Sequence, residues 1–399
     1  MNAAAKTPFL GARSRRPRVL VSCDHYLPGV KAGGPIRSIS GLVSALGGEL
    51  DFRIVTRDRD LGAGERYAGV RPGHWYARDG AQVLYWPPAG AAPAAWRAVI
   101  GSLRPDVVYL NSFFSPRYTL APLLVRRAGR APAARFVLAP RGELHPGALA
   151  IRSWKKLPFL RLARVAGLTA GVTWHATAEE EATNIRRWFG RAARVVVAPV
   201  LAPPAPEVRV ARAPKRAGQL EVAFLSRIGP KKNLLGAIEV LRGVTGSVRL
   251  NVYGPKEDAA YWERCRRAIV ALPPNVRVRD RGPLAAADVA SALARSDVLL
   301  FPTFGENFGH VVLEALLAGV PVLASDRTPW RGLAAREAGW DVPLEDVAAF
   351  RERLAALVAM DDLEWQRWSR GARSLGRSYV DDPGAVARSR ELFAHPEAA

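Results

Sequence analysis

Two carboxylates in the second half of the chain, Glu306 and Glu314, stand on either side of a loop-to-helix junction with seven residues between them. Carboxylates accept hydrogen bonds from hydroxyl groups. Between them lie the backbone N–H groups of Asn307, Phe308, Gly309 and His310, and donors at the start of a helix, with the positive end of its dipole, suit a phosphate. Arg227 and Lys232 sit five positions apart on another loop that leads from a strand into a helix, where two cations can converge on one diphosphate. A ligand with hydroxyls at both ends and a diphosphate in the middle fits this set, and a nucleotide sugar has that form. The plainer alternative is that Glu306 complements the helix dipole and Glu314 is a solvated helix residue.

The elements that must position these groups are legible around them. Residues 297–301 form a short apolar run, as expected of a strand buried on both faces of a parallel sheet. After a loop, Val311, Val312, Ala315 and Leu316 recur at helical spacing from near Phe308, and Gly319 supplies the residue that most often ends a helix. Residues 321–325 are the next strand. Residues 220–225 form another strand, which runs into Arg227, Lys232 and a further helix. In open α/β sheets the loops at the carboxyl ends of strands are where ligands bind.

The first half repeats this alternation. Strands are expected at 18–23, 52–56, 83–86, 107–110, 136–139, 172–177 and 194–200. Gly33 and Gly34 precede a helical pattern of Ile36, Ile39, Leu42, Val43 and Leu46, and glycines there let a ligand approach the backbone at a helix start. Arg141, Gly142, Glu143 and His145 cluster at a strand end; an Arg–Glu pair within the loop is the structural alternative to a binding role. Thr177 is expected as an N-cap with Glu180 as its capping-box partner, and His175 as a buried histidine. Asp58 and Asp60 form an Asp-x-Asp crowded by Arg57 and Arg59. Hard cations need several oxygen ligands, so no metal is expected.

The segment GENFGHVVLEALLAGVPVLAS resembles the donor-binding signature of the large retaining glycosyltransferase family four, in the paired glutamates, the Phe308-Gly309 turn and the Glu314-Ala315 step. The resemblance covers most of residues 18–392 and is strongest in the second half. It implies an α/β fold of the GT-B kind, two Rossmann-like domains with parallel sheets facing across a cleft. It also implies a nucleotide-sugar donor, sugar transfer with retention of configuration, and no metal or other cofactor. Arg227 and Lys232 would then neutralise the diphosphate, Glu306 would hold donor-sugar hydroxyls, Glu314 the ribose, and Gly33 and Gly34 would belong to the glycine loop facing the phosphates. Many family members carry a His-Asp pair where this chain has Pro-Arg-Gly-Glu, resembling a subgroup in which Arg141 takes over donor contact; Glu143 and His145 stay open as alternatives.

Composition bounds the rest. At 399 residues and 49% hydrophobic residues, the chain can bury two cores. The expected division is a basic arm at 1–17, a first domain at 18–203, a donor-binding domain at 204–375, and a last helix at 376–399 crossing back to the first. Cys23 and Cys265 fall in different halves as buried thiols, pointing to a reducing, cytoplasmic compartment. The formal charge of +22 suits an anionic membrane surface or an acidic substrate. Nucleic acid is not expected as a partner, since no zinc-finger spacing, basic heptad or RNA-binding aromatic signature is present. Residues 151–165 interleave Arg152, Lys155, Lys156, Arg161 and Arg164 with Trp154, Leu157, Phe159 and Leu160. Such a segment suits the inner membrane face and a glycan or lipid-linked acceptor, though a solvated helical face is the alternative, and Pro158 is expected to interrupt the helix.

Overall fold

A computed structural model describes residues 15–131, 134–150, 152–202 and 212–394. The proposed basic arm and the proline-rich connection near 203 lie mostly outside the described residues. The chain divides into two compact units, residues 1–204 with 383–399, and residues 205–382.

The first unit is built on an eight-stranded sheet. Its strands are β1 (Arg18–Ser22), β2 (Asp51–Arg57), β3 (Trp75–Arg78), β4 (Ala81–Trp86), β5 (Val107–Asn111), β6 (Arg135–Ala139), β7 (Thr173–Ala176) and β8 (Val195–Val197). The order across the sheet is β3-β4-β2-β1-β5-β6-β7-β8. All neighbours are parallel except β3, which pairs antiparallel with β4. Strands β1, β5, β6 and β7 are buried almost throughout because both faces are covered, and alternate residues feed two cores. Val19, Val21, Ile54 and Tyr109 pack on one face, while Leu20, Val55, Val108 and Leu110 pack on the other. The helices that cover them are α1 (Gly34–Leu46), α2 (Pro93–Leu103), α3 (Ala121–Arg127), α4 (Pro146–Ala150), α5 (Ser153–Val165) and α6 (Glu179–Phe189).

In the second unit the sheet is wholly parallel, in the order β11-β10-β9-β12-β13-β14. Its strands are β9 (Gln219–Leu225), β10 (Ser247–Tyr253), β11 (Val276–Gly282), β12 (Val298–Phe301), β13 (Val322–Ser325) and β14 (Gly339–Val342). The helices are α7 (Leu234–Leu241), α8 (Ala259–Val270), α9 (Val289–Ala294), α10 (His310–Leu317), α11 (Val347–Ala359) and α12 (Asp362–Val380). Because α12 is one unbroken helix, and its Gly376 lies where a Cβ would meet the backbone of Leu316 and Leu317, the second unit runs on to Asp382 rather than ending at 375. The last helix, α13 (Pro383–Glu391), belongs to the first unit, where Arg390 pairs with Glu49 at 2.6 Å and Phe393 packs on Phe52 and Tyr109.

Three local expectations are corrected. Helix α10 starts at His310 rather than near Phe308, because Gly309 takes a left-handed φ of 82° as its N-cap. The N-cap of α6 is Ala178, not Thr177, and the carboxylate that reaches back is Glu181 rather than Glu180. Helix α5 runs straight through Pro158; a proline there removes one backbone donor, the partner of the carbonyl four residues back, which belongs to the solvent-exposed Trp154.

Candidate functional site

In the second unit the loops after β9 and β12 meet at the carboxyl end of the sheet. Residues 226–233 leave β9 and residues 302–309 leave β12. Three contacts clasp them together: Asn233 donates its side-chain amide to the Pro302 carbonyl at 2.9 Å, Phe304 N–H donates to the Lys231 carbonyl at 2.9 Å, and Thr303 Oγ1 donates to the same carbonyl at 3.1 Å. Asn233 also caps α7, accepting from Gly236 N–H at 3.1 Å. The sequence reading missed Asn233, although an Asn directly before an apolar helical run is an N-cap signal.

The clasp brings Lys232 and Glu306 into an ion pair with side chains only 16% and 17% exposed. Sequence spacing had assigned them to different parts of a ligand; the fold makes them partners. Burial works to raise the Glu306 carboxyl, but Lys232, Lys231 and His310 outweigh it and hold it below its ordinary range, so it is an anion at neutral pH. An ammonium has three N–H donors, so Lys232 can hold Glu306 and still donate to an anionic oxygen beside it. Arg227 does not join this pair. Its guanidinium meets Glu257 at 2.6 Å, a partner that no local pattern pointed to, and both groups are well exposed.

Helix α10 begins at His310, four residues after Glu306. Phe308 is buried, its ring against His310, Trp330 and Tyr379, and its carbonyl accepts from Trp330 Nε1 at 2.6 Å. Gly309 is confined as well: a Cβ there would stand 3.3 Å from Glu306 Cγ and 3.4 Å from Trp330 Nε1. The first-turn N–H groups of α10 therefore start from a fixed point beside Glu306, with Asn307 between them half-buried. Glu314 lies one turn into the helix, about 6 Å along its axis, and is half-buried.

In the first unit, Gly33 is the N-cap of α1 at φ 66°, with open space where a Cβ would go, and Gly34 is the first helical residue. The preceding turn is held by Asp60, whose carboxylate accepts from Val30 and Lys31 N–H at 2.9 and 3.2 Å. Buried Asp58 pairs with Arg59 and Arg66 at 2.9 and 3.2 Å. Both aspartates thus have structural partners.

The loop after β6 separates its three polar residues into different tasks. Glu143 ties the loop to the end of β5, accepting from Ser112 Oγ at 2.7 Å and from Phe113 and Phe114 N–H. Burial raises its carboxyl above the ordinary range against those bonds. His145 is half-exposed, 3.2 Å from Glu180. Arg141, at φ 54°, donates to Asn111 Oδ1 at 3.0 Å and to Tyr109 Oη at 2.8 Å. Tyr109 in turn contacts His175 Nδ1 at 2.7 Å, and His175 Nε2 lies 2.8 Å from the Ala198 carbonyl. A carbonyl only accepts, so Nε2 carries the proton, Nδ1 accepts from Tyr109, and the tyrosine oxygen is left to accept from Arg141. Burial, with Arg141 nearby, pushes the His175 imidazole down to about 3. The expected buried histidine is therefore neutral and orients Arg141 through one tyrosine. Glu181 completes the loop's frame by accepting from Gly142 N–H at 2.6 Å and from Thr177.

Two Rossmann-like units, with polar and glycine-bearing loops at the carboxyl ends of their strands, define the class: an α/β protein of the GT-B fold. Residues 33–200 match the glycosyl transferase 4-like domain and residues 219–360 match the glycosyl transferases group 1. By both halves the chain belongs to this glycosyltransferase family. It is 33% identical over 162 residues to a phosphatidyl-myo-inositol mannosyltransferase of Mycobacterium leprae, a match covering 39% of this chain and 42% of that one. It is 34% identical over 167 residues to a GDP-mannose-dependent alpha-mannosyltransferase of Mycobacterium tuberculosis, covering 41% and 40%. The chain thus spans less than half the length of these two curated relatives. Among solved structures, sucrose-phosphate synthase from Thermosynechococcus elongatus superposes with a TM-score of 0.68 at 14% identity, covering 95% of this chain and 98% of that one. Anabaena HepE in complex with UDP and glucose superposes with a TM-score of 0.63 at 16% identity, covering 94% and 98%. At such identities the likeness concerns the fold.

Proposed function

We propose that this protein moves a sugar from a nucleoside-diphosphate sugar to a glycan or lipid-linked acceptor, with retention of anomeric configuration, in the assembly of a cell-surface polysaccharide. The observation that carries the reading is the Lys232–Glu306 pair set beside the start of α10. It places a cation, a carboxylate and helix N–H groups together at the carboxyl end of one sheet, as a ligand of alternating phosphate and hydroxyl character requires. The mannosyltransferase relatives and the UDP complex of a protein of the same fold support a nucleotide-sugar donor.

In the reaction the bond between the anomeric carbon and the diphosphate oxygen breaks, and the nucleoside diphosphate leaves with both bonding electrons. Lys232, the helix start at Gly309 and His310, and Arg227 after release from Glu257 stabilise the charge that develops there. Glu306 accepts from donor-sugar hydroxyls and Glu314 from the ribose. The acceptor oxygen bonds to the anomeric carbon on the face the diphosphate leaves, and its proton passes to the departing phosphate. Engaged by Lys232, Glu306 is a hydrogen-bond acceptor rather than a free nucleophile, which favours this front-face course. The cations do the work that a divalent ion does elsewhere.

Incubation with UDP-, GDP-, ADP- and TDP-sugars, with excess chelator present, tests the scheme. Nucleoside diphosphate should be released from one donor class at an unchanged rate with chelator, and early NMR spectra should show the released sugar in the donor's anomeric configuration. A covalent glycosyl-enzyme, an inverted sugar or loss of turnover with chelator would contradict it.

A further inference from the structure

Helix α5 carries apolar residues on two faces, and the fold uses only one of them. Leu160 and Ala163 are buried in the core of the first unit, with Leu157 and Phe159 packed at its edge. On the opposite face Trp154, Pro158, Leu162 and Val165 follow one another at intervals of three and four residues, with Arg161 beside them, and all are exposed. Trp154 is 72% exposed, Leu162 66% and Val165 86%. Leaving three large apolar side chains on one stripe costs solubility unless something covers them.

The charge around the stripe indicates what that is. Arg152, Lys155, Arg161 and Arg164 are exposed on or next to α5, and Lys155 lies 4.6 Å above the Trp154 ring. Neighbouring α3 adds exposed Leu124 and Arg127, whose guanidinium donates to the Ala166 carbonyl at the end of α5. Residues 146–171 and 116–131 contain no aspartate or glutamate. Alternating apolar and cationic groups with no anion suit an interface where acyl chains meet negatively charged headgroups, with the indole at headgroup depth and the long basic side chains reaching outward. A protein partner would have to supply both an apolar strip and a dense row of acids.

From this we infer that the outer face of α5 docks the protein on an anionic lipid bilayer, lying along the surface rather than crossing it. This surface is independent of the donor site, since none of its residues belongs to the Lys232–Glu306 loops.

The test is flotation of the full-length protein with phosphatidylglycerol–phosphatidylcholine vesicles and with pure phosphatidylcholine vesicles. Wild type should float with the anionic vesicles and detach as salt is raised. A variant with Trp154→Ser, Leu162→Ser and Val165→Ser, and a second with Arg161→Glu and Arg164→Glu, should each bind about tenfold more weakly or worse. Both should keep the wild-type melting temperature and the wild-type response to nucleoside diphosphate, which shows that they are folded and that the donor site is intact. Failure of wild type to float, equal flotation with pure phosphatidylcholine, or undiminished flotation of both variants would overturn the inference.

Discussion

The Lys232–Glu306 pair carries the account at the scale of single residues. Each group in the pair is held by the other, and the proposed reading gives each a different part of the ligand to hold. Removing either should therefore do more than remove one contact. Lys232→Ala is expected to lower kcat/KM by about 10²-fold or more, as loss of a transition-state donor does, and Glu306→Gln to lower it comparably. The double variant should be much less than multiplicative; independent effects would mean that the pair does not act as a unit. The residue types were legible in the sequence, but their pairing was not. Lys232 and Glu306 are 74 positions apart, and only the adjacency of β9 and β12 joins them. Glu257, the partner of Arg227, has no local mark for the same reason. In the first unit, His175 offers a pH readout. Its imidazole is neutral in the fold down to about 3, against an ordinary 6.5. The unfolded chain thus binds one more proton between those values, so stability is complete above pH 6.5 and falls as pH drops toward 3. His175→Gln should flatten the slope of urea stability against pH over pH 4 to 6.5 by up to one proton relative to wild type; an unchanged slope would place the charged form in the fold.

At the scale of elements, most strands were legible because a strand buried on both faces is a short, dense apolar run, which needs no knowledge of its neighbours. The exception was β3, four residues at the sheet edge whose pattern is mixed and whose only partner is an antiparallel neighbour. Helix starts were less legible than helix bodies. The apolar spacing of α10 reads correctly from Val312 onward, but its first residue is decided by the φ of Gly309 and by packing of Phe308 on Trp330 and Tyr379, which lie far along the chain. Helix α5 makes the complementary point, since a proline on an exposed turn did not stop it. The element-scale prediction concerns Gly309. An alanine there must adopt a left-handed backbone, at about 1–2 kcal/mol, and its methyl would press on Glu306 and Trp330. Gly309→Ala should lower stability by about that amount and weaken nucleoside-diphosphate binding in the same titration. Binding at wild-type affinity would show that the start of α10 takes no part in the site.

For the molecule as a whole, two units with separate cores each present their ligand-type loops at the carboxyl ends of parallel strands. The second carries the Lys232–Glu306 pair beside the start of α10, to which the proposed reading gives the phosphate and hydroxyl contacts, and the first carries Arg141 on a frame of Tyr109, His175, Glu143 and Glu181. Among the described residues no helix is long and apolar enough to cross a membrane; the docking proposed for the basic surface of α5 would let a chain of net charge +22 rest on an anionic lipid surface without crossing it. What the sequence could not convey was the base, the sugar and the acceptor, because those depend on how side chains from distant loops are juxtaposed.

The most direct test of the central claim is a thermal-shift titration of wild type, Lys232→Ala and Glu314→Ala with UDP, GDP, ADP and TDP. At about 100 times its dissociation constant a diphosphate stabilises the fold by roughly 2.7 kcal/mol. The account predicts that one diphosphate raises the wild-type melting temperature and that both variants, folded on their own, lose the rise. A wild type that responds to none of the four, or variants that respond in full, would contradict a donor site built on Lys232, Glu306 and the start of α10.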